Sequence, residues 1–138
     1  MTCTFFGHSV YRENVSAELE KAIIALIENN GVSLFYVGNQ GEFDRIVLRV
    51  LQKLSTQYGV RYYVVLAYMP RADIGLAYEN TLFPEEMELA VPRFAIDKRN
   101  RWMIERSDYV ITYVRNSYGR AAKYRTIADK KGKRIIDI

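Results

Sequence analysis

This 138-residue sequence has very few residues of the kinds that build disulfide frameworks and metal centres. It contains one cysteine, Cys3, and one histidine, His8. A single cysteine excludes an internal disulfide, and these two residues together do not make a metal site. Cys3 stands in an apolar, strand-like stretch, which predicts a buried thiol. We therefore expect a protein that needs no metal and no cofactor.

Long apolar runs are also missing. No stretch approaches the roughly 20 apolar residues that a membrane-spanning helix needs, and the first residues lack the positively charged start of a secretory signal. With 49% hydrophobic residues, the chain has enough apolar material for one compact domain over residues 1–138. The expectation is a cytoplasmic protein with no membrane partner.

Charge of one sign does not dominate the chain as a whole. The 20 basic and 16 acidic residues leave a formal charge of +4. The middle of the chain is acidic and the last quarter is basic, which suits a phosphate ligand, a nucleic acid, or solubility alone. The basic residues of the last quarter are Arg115, Arg120, Lys123, Arg125, Lys130, Lys131, Lys133 and Arg134.

Proline is confined to one segment. Pro70, Pro84 and Pro92 all fall within residues 68–93, where the hydrophobic periodicity disappears. A long irregular segment in a compact domain is usually functional or mobile. We predict a covering loop there, with one short helix near residues 85–89.

Elsewhere, strand-like and helix-like stretches alternate. Short apolar runs predict strands at residues 2–6, 34–37, 62–67, 109–114 and 134–138. Apolar residues spaced three and four apart predict helices starting at the N-cap Ser16, at residue 43, at residue 94 and after Gly119. This alternation is typical of a three-layer α/β sandwich with a mainly parallel sheet of about five strands.

The stretch between the second strand and the second helix contains two glycines, Gly38 and Gly41. Glycine permits backbone angles and close approaches that other residues forbid. Free amides at the start of a helix favour an anion such as phosphate. From the residues alone, a phosphate-binding turn and an ordinary tight turn are equally good interpretations.

Several loops should meet at one edge of the sheet. In parallel sheets, ligands bind beyond the carboxyl ends of the strands, near the point where the strand order reverses. The loops expected at this edge are residues 7–9, 38–41, the segment from residue 68, and 115–120.

Three motifs together resemble the SLOG superfamily of Rossmann-like domains, over essentially the whole chain. They are Phe6-Gly7-His8, the stretch from Gly38 to Asp44, and the stretch from Arg99 to Val110, which contains Arg-Asn-x-x-Met followed by Ser-Asp. The last is the most specific of the three. The likeness is strongest to small bacterial and phage proteins that consist of this domain alone.

The resemblance implies a pocket for a nucleotide or nucleotide-derived ligand at the carboxyl ends of the strands. We also expect the protein to form a homo-oligomer. Its ligand-binding residues would be Gly7, His8, Gly38, Asn39, Gly41, Asp44, Arg99, Asn100, Tyr118, Gly119 and Arg120.

Two departures from the family pattern bear on the chemistry. Ser9 stands where an arginine often follows Gly-His, and Arg120 stands where a second glycine is usual, so a guanidinium would replace part of the backbone phosphate cradle. Lys123 falls where the LOG phosphoribohydrolases of this superfamily carry a glutamate. A cation there does not suit an oxocarbenium-like transition state, so a catalytic role is not expected.

Individual residues allow simpler interpretations as well. Asp44 either complements the helix dipole or binds a ribose hydroxyl. The residues around Arg99, taken alone, indicate that it lies on a solvated helix face. The resemblance implies instead that Arg99 binds the ligand. His8 is a candidate acid or base but more often such a residue only forms hydrogen bonds, and Tyr118 is placed to stack on a base.

Three functions follow from these observations. The leading hypothesis is a module that binds a nucleotide-derived ligand for sensing or sequestration. The alternatives are a LOG-like nucleoside monophosphate phosphoribohydrolase and a DprA-like binder of single-stranded DNA, the latter favoured by the basic last quarter.

Overall fold

The structure is a computed structural model that describes residues 1–9, 15–69 and 80–138. Its strands are β1 (Thr2–Gly7), β2 (Leu34–Val37), β3 (Arg61–Val65), β4 (Thr81–Leu82), β5 (Tyr109–Tyr113) and β6 (Arg134–Asp137). Its α-helices are α1 (Val15–Asn30), α2 (Gly41–Tyr58), α3 (Ala95–Glu105) and α4 (Arg120–Lys130), and 3-10 helices span Glu85–Met87 and Pro92–Phe94.

All described strands form one sheet in the order β4-β3-β2-β1-β5-β6, and every pair is parallel. β1 lies between β2 and β5: Cys3 is opposite Phe35 on one side and Tyr109 on the other. The chain builds outward from β1 first in one direction and then in the other. The strand order therefore reverses at β1, which makes the carboxyl end of this strand the expected place for a ligand.

Helices cover both faces of the sheet. Successive residues of β1 point to opposite faces: Phe5 packs in the core beneath α1 and α2, and Phe6 packs against Tyr124 in the core beneath α3 and α4. Because both faces are covered, the central strands are mostly apolar. The fold is thus the three-layer, Rossmann-like α/β sandwich that the alternation of elements predicts.

The sheet has one more strand than predicted. β4 is only two residues long and half-buried, so it carries no readable periodicity. It is held by backbone hydrogen bonds from Val64 N to Asn80 O (2.7 Å) and from Leu66 N to Leu82 O (2.8 Å). The prediction of irregular structure was wrong at β4, whereas the short helix predicted nearby corresponds to the 3-10 helix Glu85–Met87. Residues 70–79 of the predicted covering loop lie outside the described residues.

Ser16 is not an N-cap. It is the second residue of α1, which already includes Val15. Val15 is buried, so extending the helix by this residue adds its side chain to the core. The other predicted helix boundaries agree with the structure to within about two residues, the usual uncertainty at helix ends.

Within the described residues, no helix is both long enough and apolar enough to cross a membrane. Over the same ranges, no cluster of histidine, cysteine and carboxylate side chains is suited to holding a metal ion. The Cys3 side chain is fully buried, and burial raises the pKa of its thiol well above its usual range.

Candidate functional site

A cavity of about 100 Å³ lies at the carboxyl end of β1. The first turns of α2 and α4 border it from opposite sides, because these helices follow the strands on either side of β1. The β2–α2 and β5–α4 turns therefore lie within reach of one ligand, as predicted. The lining residues are Phe5, Phe6, Gly7, Gln40, Asp44, Asn100, Met103, Arg120, Ala121 and Tyr124.

Asp44 brings a carboxylate to the α2 side of this cavity. Its Oδ2 accepts a hydrogen bond from the backbone N–H of Gln40 at 3.0 Å, so it caps one free amide at the start of the helix. Burial raises the pKa of this carboxyl from 3.8 to about 6, although the Gln40 amide and the neighbouring Arg99 guanidinium both act to lower it. Asp44 is therefore a carboxylate that changes charge close to neutral pH.

Arg99 lies beneath the cavity rather than on the surface. Its side chain is only 1% exposed. Its Nη1 donates to Val65 O at 2.8 Å and to Asn39 Oδ1 at 3.2 Å, and its Nε donates to Asn100 Oδ1 at 2.8 Å. The guanidinium thus joins the ends of β2 and β3 to α3, and burial lowers its pKa while Asp44 opposes that change.

Gly38 leaves space that a side chain would fill. A Cβ placed on it would lie 2.8 Å from Asp44 Oδ2 and 3.0 Å from Arg99 Cζ, distances at which a neighbouring atom must move. Gly38 therefore leaves room for both the Asp44 carboxylate and the Arg99 guanidinium beside the same backbone position. Gly41, by contrast, has a φ of +90°, which glycine adopts without strain.

The start of α4 has the opposite electrostatic character to the start of α2. The first turn of α2 carries Glu42 and Asp44, whereas the first turn of α4 contains no acidic residue. Arg120 is the first residue of α4, is exposed, and lines the cavity. Gly119 precedes it with a φ of +94°. An anion is consequently favoured at α4 and disfavoured at α2.

His8 adds an unsatisfied polar atom beside the same turn. Its backbone N–H donates to Tyr113 O at 3.0 Å, which fixes the loop after β1 against the end of β5. Its Nε2 is buried and has no hydrogen-bond partner among the described residues. The ring lies next to Gly119, since a Cβ there would be 3.8 Å from His8 Cε1. A buried nitrogen of this kind normally has a partner.

The residues predicted from sequence fall into three groups. Gly7, Asp44, Asn100 and Arg120 line the cavity. His8 and Gly119 adjoin each other at its β5–α4 side, and Gly38 and Arg99 lie beneath it. The remaining three, Asn39, Gly41 and Tyr118, are exposed at the turns and do not line it.

Six lining residues were not among the predicted site residues, and two of them, Gln40 and Tyr124, have polar side chains. Tyr124 has the spacing of a core residue and is buried, but its hydroxyl donates to Asp97 Oδ1 at 2.8 Å. Lys123 also binds Asp97, with Nζ 3.2 Å from the same oxygen. Its ammonium group is therefore paired with a carboxylate of α3. The helical spacing of Tyr124 predicted its burial but not its place beside the cavity.

The fold is similar to one solved structure in particular. The X-ray structure of DNA processing protein A (DprA) from Streptococcus pneumoniae superposes with a TM-score of 0.65 at 17% sequence identity. The superposition covers 99% of this chain and 49% of that chain, so this chain spans about half the length of that protein. No protein-family model matches the sequence, and no curated protein does. The likeness establishes a DprA-like Rossmann fold.

Proposed function

We propose that the cavity at the carboxyl end of β1 binds a nucleotide or nucleotide-derived ligand, for sensing or sequestration. The observation that carries this proposal is that two helix starts of opposite character border one cavity: α2 with Asp44, and α4 with Arg120 and no acidic residue. A nucleotide has a matching polarity, with an anionic phosphate at one end and hydroxyl donors on its ribose.

The phosphate belongs at α4. Arg120 offers a guanidinium that suits phosphate geometry, and the free amides at the start of α4 add the favourable helix dipole. The buried Nε2 of His8 lies beside the same turn and has no partner among the described residues. The β2–α2 turn is a poorer phosphate site, because its Gln40 amide already binds the Asp44 carboxylate.

The ribose belongs at α2. Asp44 is a hydrogen-bond acceptor for a ribose hydroxyl, and Asn100 lines the same cavity. The cavity of about 100 Å³ is smaller than the roughly 300 Å³ at which ligand pockets begin. It therefore suits the sugar and part of the phosphate, while the base extends over the surrounding turns, where Tyr118 is 75% exposed.

Calorimetry with AMP and adenosine tests this proposal. We expect wild-type protein to bind AMP more tightly than adenosine. Arg120→Ala should weaken AMP binding by about 1.5–3 kcal/mol, the range for hydrogen bonds to charged groups, and leave adenosine binding unchanged. Lys130→Ala is the matched control, since it removes a cation from the exposed far end of the same helix. Equal losses in both variants, or no binding of either compound to wild type, would refute the proposal.

Single-stranded DNA is the second candidate ligand. The similar solved structure is a DNA processing protein, and the β5–α4 turn presents exposed Arg115, Tyr118 and Arg120, a combination of cations and an aromatic ring that suits an unpaired strand. Fluorescence anisotropy with a labelled oligothymidylate at several salt concentrations separates the two. Tight, strongly salt-dependent binding of the oligonucleotide without binding of AMP would favour DNA.

A further inference from the structure

Arg99 has no direct path to a ligand. Its side chain is 1% exposed, and it donates hydrogen bonds within the protein to Asn39, Val65 and Asn100. A buried guanidinium must be paired and hydrogen-bonded to remain charged at an acceptable cost. These bonds satisfy most of that requirement, and they hold together the loops that follow β2 and β3.

Arg99 does have a path to the cavity through Asp44. The two side chains lie beside Gly38, where a Cβ would be 2.8 Å from Asp44 Oδ2 and 3.0 Å from Arg99 Cζ. Gly38 does not adopt a positive φ, so space and not backbone conformation explains the glycine. Asp44 in turn lines the cavity.

We propose that Arg99 is a positioning residue: it holds the Asp44 carboxylate in place from beneath, through the gap that Gly38 leaves, and does not contact the ligand. The inference rests on the proposed nucleotide site and concerns how that site is built. The β2–α2 turn then accommodates the Asp44 carboxylate and the Arg99 guanidinium, and the phosphate is bound by the turn before α4.

The test compares AMP with adenosine, which differ only in the phosphate. If Arg99 acts through Asp44, Arg99→Met should weaken both compounds by the same factor, about tenfold or more where the misplaced Asp44 carboxylate loses its hydrogen bond to the ribose. Asp44→Asn should have the same effect, and the double variant should be no weaker than Asp44→Asn alone. Lys98→Met is the matched control, as it removes an exposed neighbouring cation from the same helix.

Two further variants guard against simple unfolding. Gly38→Ala keeps every charge but forces Asp44 and Arg99 apart, so it should also weaken both compounds equally. Arg99→Lys keeps the cation and should restore part of the affinity lost in Arg99→Met. A loss confined to AMP, or additive losses in the double variant, would show that Arg99 binds the phosphate directly and would overturn the inference.

A readout without ligand separates this inference from the proposed function. The Asp44 side-chain carboxyl signal can be followed by NMR as pH changes. Loss of the Arg99 cation should move the titration of Asp44 to higher pH in Arg99→Met and not in Lys98→Met. If wild type binds neither compound, the proposed function fails while this titration still decides the inference. An unchanged Asp44 titration in Arg99→Met would refute it.

Discussion

Replacing Asp44 by asparagine should change how the stability of the protein depends on pH. Burial raises the pKa of Asp44 from 3.8 to about 6 in the folded protein. Between these two values the unfolded chain has released the proton and the folded protein still holds it. The free energy of unfolding must therefore fall as pH rises through this interval. Below and above this pH interval, Asp44 does not make the free energy of unfolding depend on pH.

The magnitude follows from the pKa change. A shift of about 2 pKa units at 1.36 kcal/mol per unit corresponds to about 3 kcal/mol. Asparagine does not titrate, so only wild type should lose stability through this group as pH rises from about 4 to about 7. The unfolding free energy of wild type should therefore fall by up to about 3 kcal/mol relative to that of Asp44→Asn. Using the difference removes the constant effect of the substitution on Arg99 and Gln40.

Urea unfolding of both proteins across this pH range measures the effect. Asp137→Asn is an informative control, because the Arg125 guanidinium, with which Asp137 forms two hydrogen bonds, lowers the pKa of Asp137 to about 2. Asp137 therefore contributes stability above about pH 4 that is lost as pH falls further. A flat difference for Asp44→Asn between about pH 4 and 7, or one that favours wild type as pH rises, would refute the description of Asp44 as a half-buried carboxylate whose charge is costly.

Three further predictions concern packing, chemistry and the exposed turn. Gly7→Ala should lower stability by about 1–3 kcal/mol, because a Cβ there would lie 2.6 Å from the Phe43 ring; thermal unfolding measures this, and Phe43→Leu in the same protein should recover part of the loss. Incubation with AMP should release no free adenine, since the resemblance to the LOG phosphoribohydrolases would set Lys123 where they carry a glutamate; multiple turnovers seen by chromatography and abolished by Asp44→Asn would contradict this. Tyr118→Ala should leave the unfolding midpoint unchanged, because the side chain is 75% exposed, yet weaken oligothymidylate binding by about 1–3 kcal/mol if the strand stacks there.

The parallel sheet could be predicted because its signals are strong and local. β2 has the predicted bounds of Leu34–Val37, and α2 ends at Gly59 in the left-handed conformation. β4 could not be predicted, since two half-buried residues at a sheet edge are held mainly by backbone hydrogen bonds to β3. Short apolar runs on both covered faces define a strand in sequence, whereas an edge strand of two residues does not.

The position of the cavity could be predicted from the sequence, whereas the way its walls are built could not. The glycines of the β2–α2 turn point to the correct edge of the sheet, but sequence alone does not show that Gly38 makes room for Arg99, which is 61 positions away. Arg99 stands between Lys98 and Asn100 in a polar stretch that is typical of a solvated helix face. Its burial depends on the ends of β2 and β3, where Val65 O and Asn39 provide acceptors.

The central claim is that phosphate binds at the start of α4 and ribose at Asp44. The most direct test is a titration of isotope-labelled protein with AMP and with adenosine, followed by backbone amide NMR. AMP should shift the amide signals of Gly119, Arg120 and Ala121 together with that of Asp44, and adenosine should shift only that of Asp44. Phosphate-dependent shifts confined to Gly38 and Gly41, or no shifts at saturating AMP, would contradict the claim.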